Sequence, residues 1–415
     1  MTDEVKSDTS KMRRWAIPLA AELAACVTVG VIGGLSSWGV LGALGDSTDG
    51  RFNVVMCSFR APVMVAAGHG MRDIDLSMYP GLDDFYALRS PEFDLSEIPA
   101  DYEGNVVGDS YALMHYHLMR AMGWVWRVFG VSRRSVNILG MLLYALLMAA
   151  FYGFFRLGMG RALAVVCVAW LSLSPALLLV CPSIRDFSKA PFLIAAVGVL
   201  GCLVHREHSR RTFFTGAAVA GAITGIGFGF RQDVALAVPL GVAALAAFAP
   251  AHGEKKVSLR TGAVALFIAL FVIVGWKPIQ GTRLDKGAAS AQAFVQGVSQ
   301  DAESRLDLGG ASYVHHYSYS DLTDFSIINT YARRTGITDP MPGHFTPAYG
   351  EAGHALAREY RRTYTGDMVA RGLAALWALP DTAATAMHEH ILPTIQPNVD
   401  AQAVLEARSA WHDTF

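Results

Sequence analysis

Charge is what this chain has least of. Only 17% of its 415 residues are Asp, Glu, Lys or Arg, against roughly a quarter in a water-soluble domain. The formal net charge is -1, so there is no bulk basic character to attract nucleic acid. Cysteine is scarce too. Cys26, Cys57, Cys167, Cys181 and Cys202 have no metal-ligand spacing, and three of them sit inside apolar runs, where a thiol serves as a small buried hydrophobe. Cys57 and Cys181 fall on the same side of the topology derived below, but their spacing gives no ground for pairing them. What the chain has instead is hydrophobic residues, 53% of the total. Several uninterrupted apolar runs approach the roughly 20 residues that a bilayer-spanning helix requires.

These runs predict an all-α polytopic membrane protein of about seven transmembrane helices, with a long first outer loop and an outer C-terminal region. Residues 1–14 read as a polar cytoplasmic tail. Residues 15–45 read as a retained first helix, too long for a cleaved signal sequence. In that helix Glu22 is expected to reach the interface, because a charge deeper in the bilayer costs about 2.5–3.5 kcal/mol on insertion scales. Gly30 and Gly34 form a small-xxx-small pair suited to close packing.

Residues 46–135 form the outer loop. FNVVMCSFRAPVMVAAGHGM is too interrupted to span and suggests a re-entrant or membrane-lying piece. Beyond an acidic, turn-rich stretch, Tyr111 to Phe129 reads as an amphipathic helix at headgroup level, with Trp124, Trp126 and flanking arginines. His115 and His117 lie about 200° apart on such a helix and cannot share a face for a metal. The pair His315-His316 is assigned no metal either.

Six further spans are predicted at about 136–155, 162–180, 190–204, 212–230, 233–250 and 261–277. Basic residues fill alternate connectors: Arg156 and Arg161, then the stretch 205–211, then Lys255, Lys256 and Arg260. That pattern places the N-terminus in the cytoplasm and residues 279–415 outside. Arg133 and Arg134 run against it. Gly221, Gly225 and Gly229 mark a packing face. The C-terminal region is polar and tyrosine-rich, with helical candidates at Tyr349 to Arg361 and about Asp367 to Leu379.

The layout resembles the GT-C class of membrane glycosyltransferases. The resemblance covers roughly residues 15–280. It rests on an acidic stretch just past the first helix, Asp46-Ser-Thr-Asp49-Gly-Arg-Phe, and on the interfacial helix YALMHYHLMRAMGWVWRVFG. The entry to the hairpin series, VSRRSVNILG, and charged outer turns at 182–189 and 230–233 complete it. Members of the class usually continue with several more spans. The resemblance implies transfer of a sugar from a polyprenyl-phosphate donor at the outer face of a bacterial inner membrane, within the cell envelope. Its partners would be the polyprenyl-phosphate-linked sugar and membrane lipids.

A transfer of that kind needs a carboxylate as base or acceptor site and cations to hold the donor phosphate. Asp49 and Asp46 stand first for the carboxylate, and Asp83 and Asp84 second. Arg185, Lys189 and Arg231 stand for the phosphate, and are expected to converge on one patch. The alternative is that Asp186 and Asp233 neutralise them locally, and then no anion is needed. Asp73-Ile-Asp75 has a spacing able to ligate a hard cation, so a divalent cation is compatible with the reading, although no metal ligand set stands out. Two other readings remain: a non-catalytic scaffold or lipid-glycan transport component on the same plan, and a transporter. Transporters carry charges near the midplane, whereas the charges here lie at span ends.

Overall fold

The structure, a computed structural model, describes residues 2–43, 59–87, 89–205, 207–248, 256–313, 317–318, 320–337 and 346–386. Backbone contacts divide the chain into two units. The first takes in Met1–Val107 and His115–Trp276, and the second Gly108–Met114 and Lys277–His390.

The first unit opens with α1 (Thr2–Ala43). The loop beyond it holds two seven-residue helices, α2 (Ala61–Ala67) and α3 (Pro80–Tyr86). The short α4 (Ser110–Met114) belongs to the second unit, and α5 (Tyr116–Phe129) returns to the first. The bundle then runs through α6 (Arg133–Phe155), α7 (Arg161–Leu171), α8 (Pro175–Val180), α9 (Ile184–Phe187), α10 (Ala190–His205), α11 (Arg210–Phe228), α12 (Ala237–Ala243) and α13 (Lys256–Val274).

Among the described residues four helices are long and apolar enough to cross a membrane: Ala20–Gly42, Arg133–Phe155, Ile184–His205 and Val257–Val274. That is fewer than the seven expected, and each shortfall has a local cause. The run 162–180 is apolar throughout, but its helix stops at Leu171 and restarts at Pro175. Proline cannot continue a helix from the residues before it. The run 233–250 divides into a 3-10 turn (Gln232–Leu236), α12 and a π-turn (Ala244–Phe248). Its apolar length is correspondingly short. The third case, α11, has 19 residues, but glycines, threonines and two leading arginines dilute its apolar character.

Small residues set the helix contacts. Along α1, a Cβ on Gly33 would meet Met148 at 2.4 Å, and Gly30 and Gly34 lie 3.5 Å from Ala145 and Met141 of α6. A Cβ on Gly221 would meet the Phe267 carbonyl oxygen at 2.2 Å, and one on Gly225 the Phe271 oxygen at 2.8 Å. Those contacts let α11 and α13 approach backbone to backbone. The opposite sides of the spans carry exposed apolar stripes, such as Leu23, Val27, Val31 and Leu35 of α1. This pattern suits an integral membrane protein, whose helices pack on small residues and turn large ones to lipid.

The loop helices are anchored, not free. Gly123 of α5 has its Cβ position 2.5 Å from Val65 of α2. Leu118, Met122 and Trp126 are fully buried, while Trp124, Val128 and Phe129 remain exposed. Of the segment expected to be re-entrant or membrane-lying, residues 52–58 lie outside the described residues, and Ala61–Ala67 is a short buried helix that supports α5. A two-residue strand pair, Glu92–Phe93 with Val131–Ser132, ties the acidic stretch to the start of α6. Arg133 donates from Nη2 to the Ser90 carbonyl at 2.9 Å, which gives this cation a structural reason to stand against the charge bias.

The second unit contains α14 (Trp276–Asp285), α15 (Ala288–Gln296), α16 (Gln300–Arg305), α17 (Asp321–Thr335), α18 (Pro347–Thr363) and α19 (Thr365–Ala386). Its core joins Ala288, Val295, Ile328, Ala332, Tyr349, Ala352 and Leu356. The tyrosines that make this region look polar bury their rings and tether their tips. The Tyr313 hydroxyl donates to the Val298 carbonyl at 2.8 Å, and that of Tyr317 to Val295 at 2.6 Å. Arg371 of α19 reaches Glu303 at 2.5 Å, both side chains being under 10% exposed. Asp324 is wholly buried, and among the described residues neither of its oxygens has a hydrogen-bond partner of ordinary geometry. Burial, with the charge of Asp321 next, pushes its carboxyl up to about 6, and the nearby Gln296 amide offsets only part of this.

Candidate functional site

Two breaks in the helical pattern build the charged site. After Val180 the chain turns through Cys181–Ser183 into the four-residue α9, which carries Arg185 and Asp186. After Gly229 it extends at Arg231, with φ -157° and ψ 138°, before the 3-10 turn that carries Asp233. These two segments and Lys189 meet.

The arrangement is a chain of shared oxygens. Arg185 Nε lies 3.4 Å from Asp186 Oδ1, and Arg231 Nη1 bonds the same oxygen. Arg231 Nε donates to Asp233 Oδ2 at 3.0 Å, and the Lys189 ammonium bonds that oxygen as well. The Ser183 hydroxyl donates to Asp186 Oδ2 at 2.9 Å. Arg231 therefore bridges both acids. The five side chains are 26–45% exposed, so the group is open to solvent on one side. Beside it, the Gln232 side-chain nitrogen is buried with no hydrogen-bond partner among the described residues.

Arg185, Lys189 and Arg231 thus converge, and Asp186 and Asp233 neutralise most of their charge. The acids sit between the cations, which is the local neutralisation that the sequence offered as the alternative to a bound anion.

The aspartates divide differently. Asp46 and Asp49 lie outside the described residues. Asp83 and Asp84 both turn to Arg89, at 2.7 and 2.6 Å, in a clamp that is half-exposed and local to α3. Asp75 and Asp94 each accept from the backbone nitrogen two residues on, capping short 3-10 turns. Hydrogen bonds from Ser77 and Ser96 hold both below the usual carboxylate range, the opposite of what a general base at neutral pH requires. Asp73 accepts from the Ile74 nitrogen at 2.9 Å. The Asp73/Asp75 spacing therefore reflects capping. Among the described residues no group of three or more His, Cys, Asp or Glu is placed to hold a metal ion; His315 and His316 lie outside them.

A second polar centre sits at the other end of α6. Glu22 Oε2 accepts from the Tyr152 hydroxyl at 2.6 Å and Arg156 Nε at 3.0 Å, and its Oε1 accepts from Arg156 Nη2 at 2.9 Å and Arg161 Nε at 3.2 Å. A lone acid in an apolar run, with arginines bracketing a later connector, was the sequence signal for it. His117 had no such signal. Its Nε2 lies 3.0 Å from the Val274 carbonyl, and the backbone nitrogens of His117 and Leu118 both donate to the Gly229 carbonyl. The start of α5 is thereby pinned to the ends of α11 and α13, one residue before Phe230 and two before Arg231. Burial pushes the His117 imidazole below its ordinary value.

No protein-family model, curated protein or solved structure matches the chain.

Proposed function

We propose that this chain is a membrane protein whose Arg185–Lys189–Arg231 cluster takes the phosphate of a lipid-linked sugar, and that it transfers that sugar in the manner of the GT-C class. The observation that carries the reading is the meeting of three cations at the ends of apolar helices. Cations at such a level are retained where an anionic group repays them. A phosphate oxygen suits the planar fork of Arg231 and the point charge of Lys189. Gln232, with a buried side-chain nitrogen lacking a partner among the described residues, would supply a further donor. The base would come from Asp49 or Asp46, since Asp83 and Asp84 are engaged by Arg89.

A second reading, a non-catalytic binder of lipid-linked glycans, is favoured by Asp186 and Asp233. They already satisfy much of the cation charge, as a resting structural network does. Full-length protein in nanodiscs separates the two readings. Binding of a polyprenyl phosphate, read by native mass spectrometry, should weaken at least about tenfold in Arg231→Gln, the loss of a charged contact worth about 1.5–3 kcal/mol. Asp49→Asn should leave that binding intact and abolish sugar transfer from the polyprenyl-phosphate sugar. Unchanged binding in both Arg231→Gln and Lys189→Gln would reject the phosphate site. Binding without any transfer in the unaltered chain would select the non-catalytic reading.

A further inference from the structure

The second unit carries an apolar face of the kind otherwise found on the spans. In α19, Val369, Leu373, Leu376 and Trp377 are 57%, 64%, 68% and 89% exposed. At about 100° per residue they fall within one arc of roughly 100° on the helix. Arg371 lies about 200° from Val369 on the same reckoning. It is buried against Glu303 and stacks over the Tyr313 ring at 5.2 Å. The inward side of α19 is therefore fixed by a buried ion pair and a tyrosine core, and its outward side is a stripe of four large hydrophobic residues. In the second unit only Leu284 and Leu322 are otherwise exposed to a similar degree among the large apolar residues described.

We propose that this stripe lies in the lipid interface, making α19 a membrane-surface helix. Three observations support a bilayer as the occupant. The chain leaves the Val257–Val274 span and enters the second unit at Lys277, a gap of two residues, or about 7 Å of extended chain. The start of the unit is thus tethered within that length of the end of the span. The stripe ends in tryptophan, whose ring favours the headgroup level. Directly before α19, the last turn of α18 carries exposed Arg361 and Arg362, with Arg358 one turn earlier also exposed. A basic approach to an apolar helix face is the pattern of helices that lie on anionic membranes.

The test uses the full chain in vesicles of phosphatidylglycerol and phosphatidylethanolamine. Its native cysteines are replaced by serine, and a nitroxide is attached at Trp377→Cys, with a second labelled variant at Ala375→Cys, exposed and about 150° from the middle of the stripe, as the reference. The label at 377 is expected to collide more with oxygen than with a water-soluble nickel chelate, and the label at 375 to show the reverse. Preference for the chelate at 377 would overturn the proposal, because the stripe would then face water. A label at 377 immobilised and shielded from both reagents would overturn it as well, since a second copy or another protein would then cover the face. A charge arm checks the source of attraction. In vesicles of phosphatidylcholine alone the oxygen preference at 377 should fall, and Arg361→Gln/Arg362→Gln should reproduce that fall in the anionic vesicles. Circular dichroism of each variant, matching the unaltered protein, confirms that the helix is retained.

Discussion

Arg156 grips Glu22 with two nitrogens, Nη2 at 2.9 Å and Nε at 3.0 Å. The pair joins the first helix to the end of α6, and both side chains are about 30% exposed. Removing the acid alone strands two guanidinium groups and a phenol. Breaking a fully buried pair costs about 3–5 kcal/mol, and partial exposure lowers this, so Glu22→Ala should cost about 1–3 kcal/mol. Tyr152→Phe, which removes one hydroxyl donor, should cost about 0.5–1.5 kcal/mol. Thermal unfolding in detergent reads both. Equal and negligible shifts would show that the cluster is solvated and contributes nothing.

The contact of α11 with α13 depends on the absence of a side chain at Gly221, where a Cβ would stand 2.2 Å from a backbone oxygen. Backbone cannot swing aside as a flexible side chain can. Gly221→Val should separate the helices and cost about 3 kcal/mol or more, at the upper end for overpacking. Gly153 has open space around its Cβ position, so Gly153→Val serves as the control and should be near neutral. The measurement is the melting temperature of the two variants side by side.

Acid sensitivity should reside partly in His117. Burial lowers its pKa, so the folded state binds the proton less readily than the unfolded chain. Its contribution to stability is complete above the ordinary histidine value of about 6.5 and is lost as pH falls from there through the lowered folded value. His117→Gln retains a donor toward Val274 without the titration. Between pH 7.5 and 5 the unaltered protein should lose more stability than His117→Gln. Parallel losses in the two proteins would remove His117 from the account.

Asp324 behaves in the opposite sense. Its folded pKa is raised to about 6, so the folded state binds the proton more tightly than the unfolded chain. That stability is fully present below about 4 and is lost as pH rises through 6. Asp324→Asn should therefore stabilise the second unit at pH 8, by about 1–3 kcal/mol, with the gain vanishing near pH 4. Limited proteolysis within 277–386 of the full chain at the two pH values measures it. A variant cleaved faster at pH 8 than the unaltered protein would count against the assignment.

What could be read in the linear chain was what composition and short-range spacing carry. The apolar runs marked the membrane class. Gly30 and Gly34, and Gly221 and Gly225, marked packing faces, because a missing side chain at helical spacing has few other uses. Arg185, Lys189 and Arg231 stood out as cations at the ends of apolar segments, and Asp186 and Asp233 as their neighbours. The number of long spans was not legible in the same way. Hydropathy does not register that Pro175 ends one helix and starts another, or that 232–248 winds as three different helix types. Nor does spacing tell a capping aspartate such as Asp75 from a ligand, since both need only a nearby donor or cation. Tertiary structure alone decided that Arg231 bridges two acids, that His117 locks onto Val274 far along the chain, and that Asp324 is buried. Each depends on residues distant in sequence arriving at one point, and that arrival is governed by how helices pack rather than by the order of residues along any one of them.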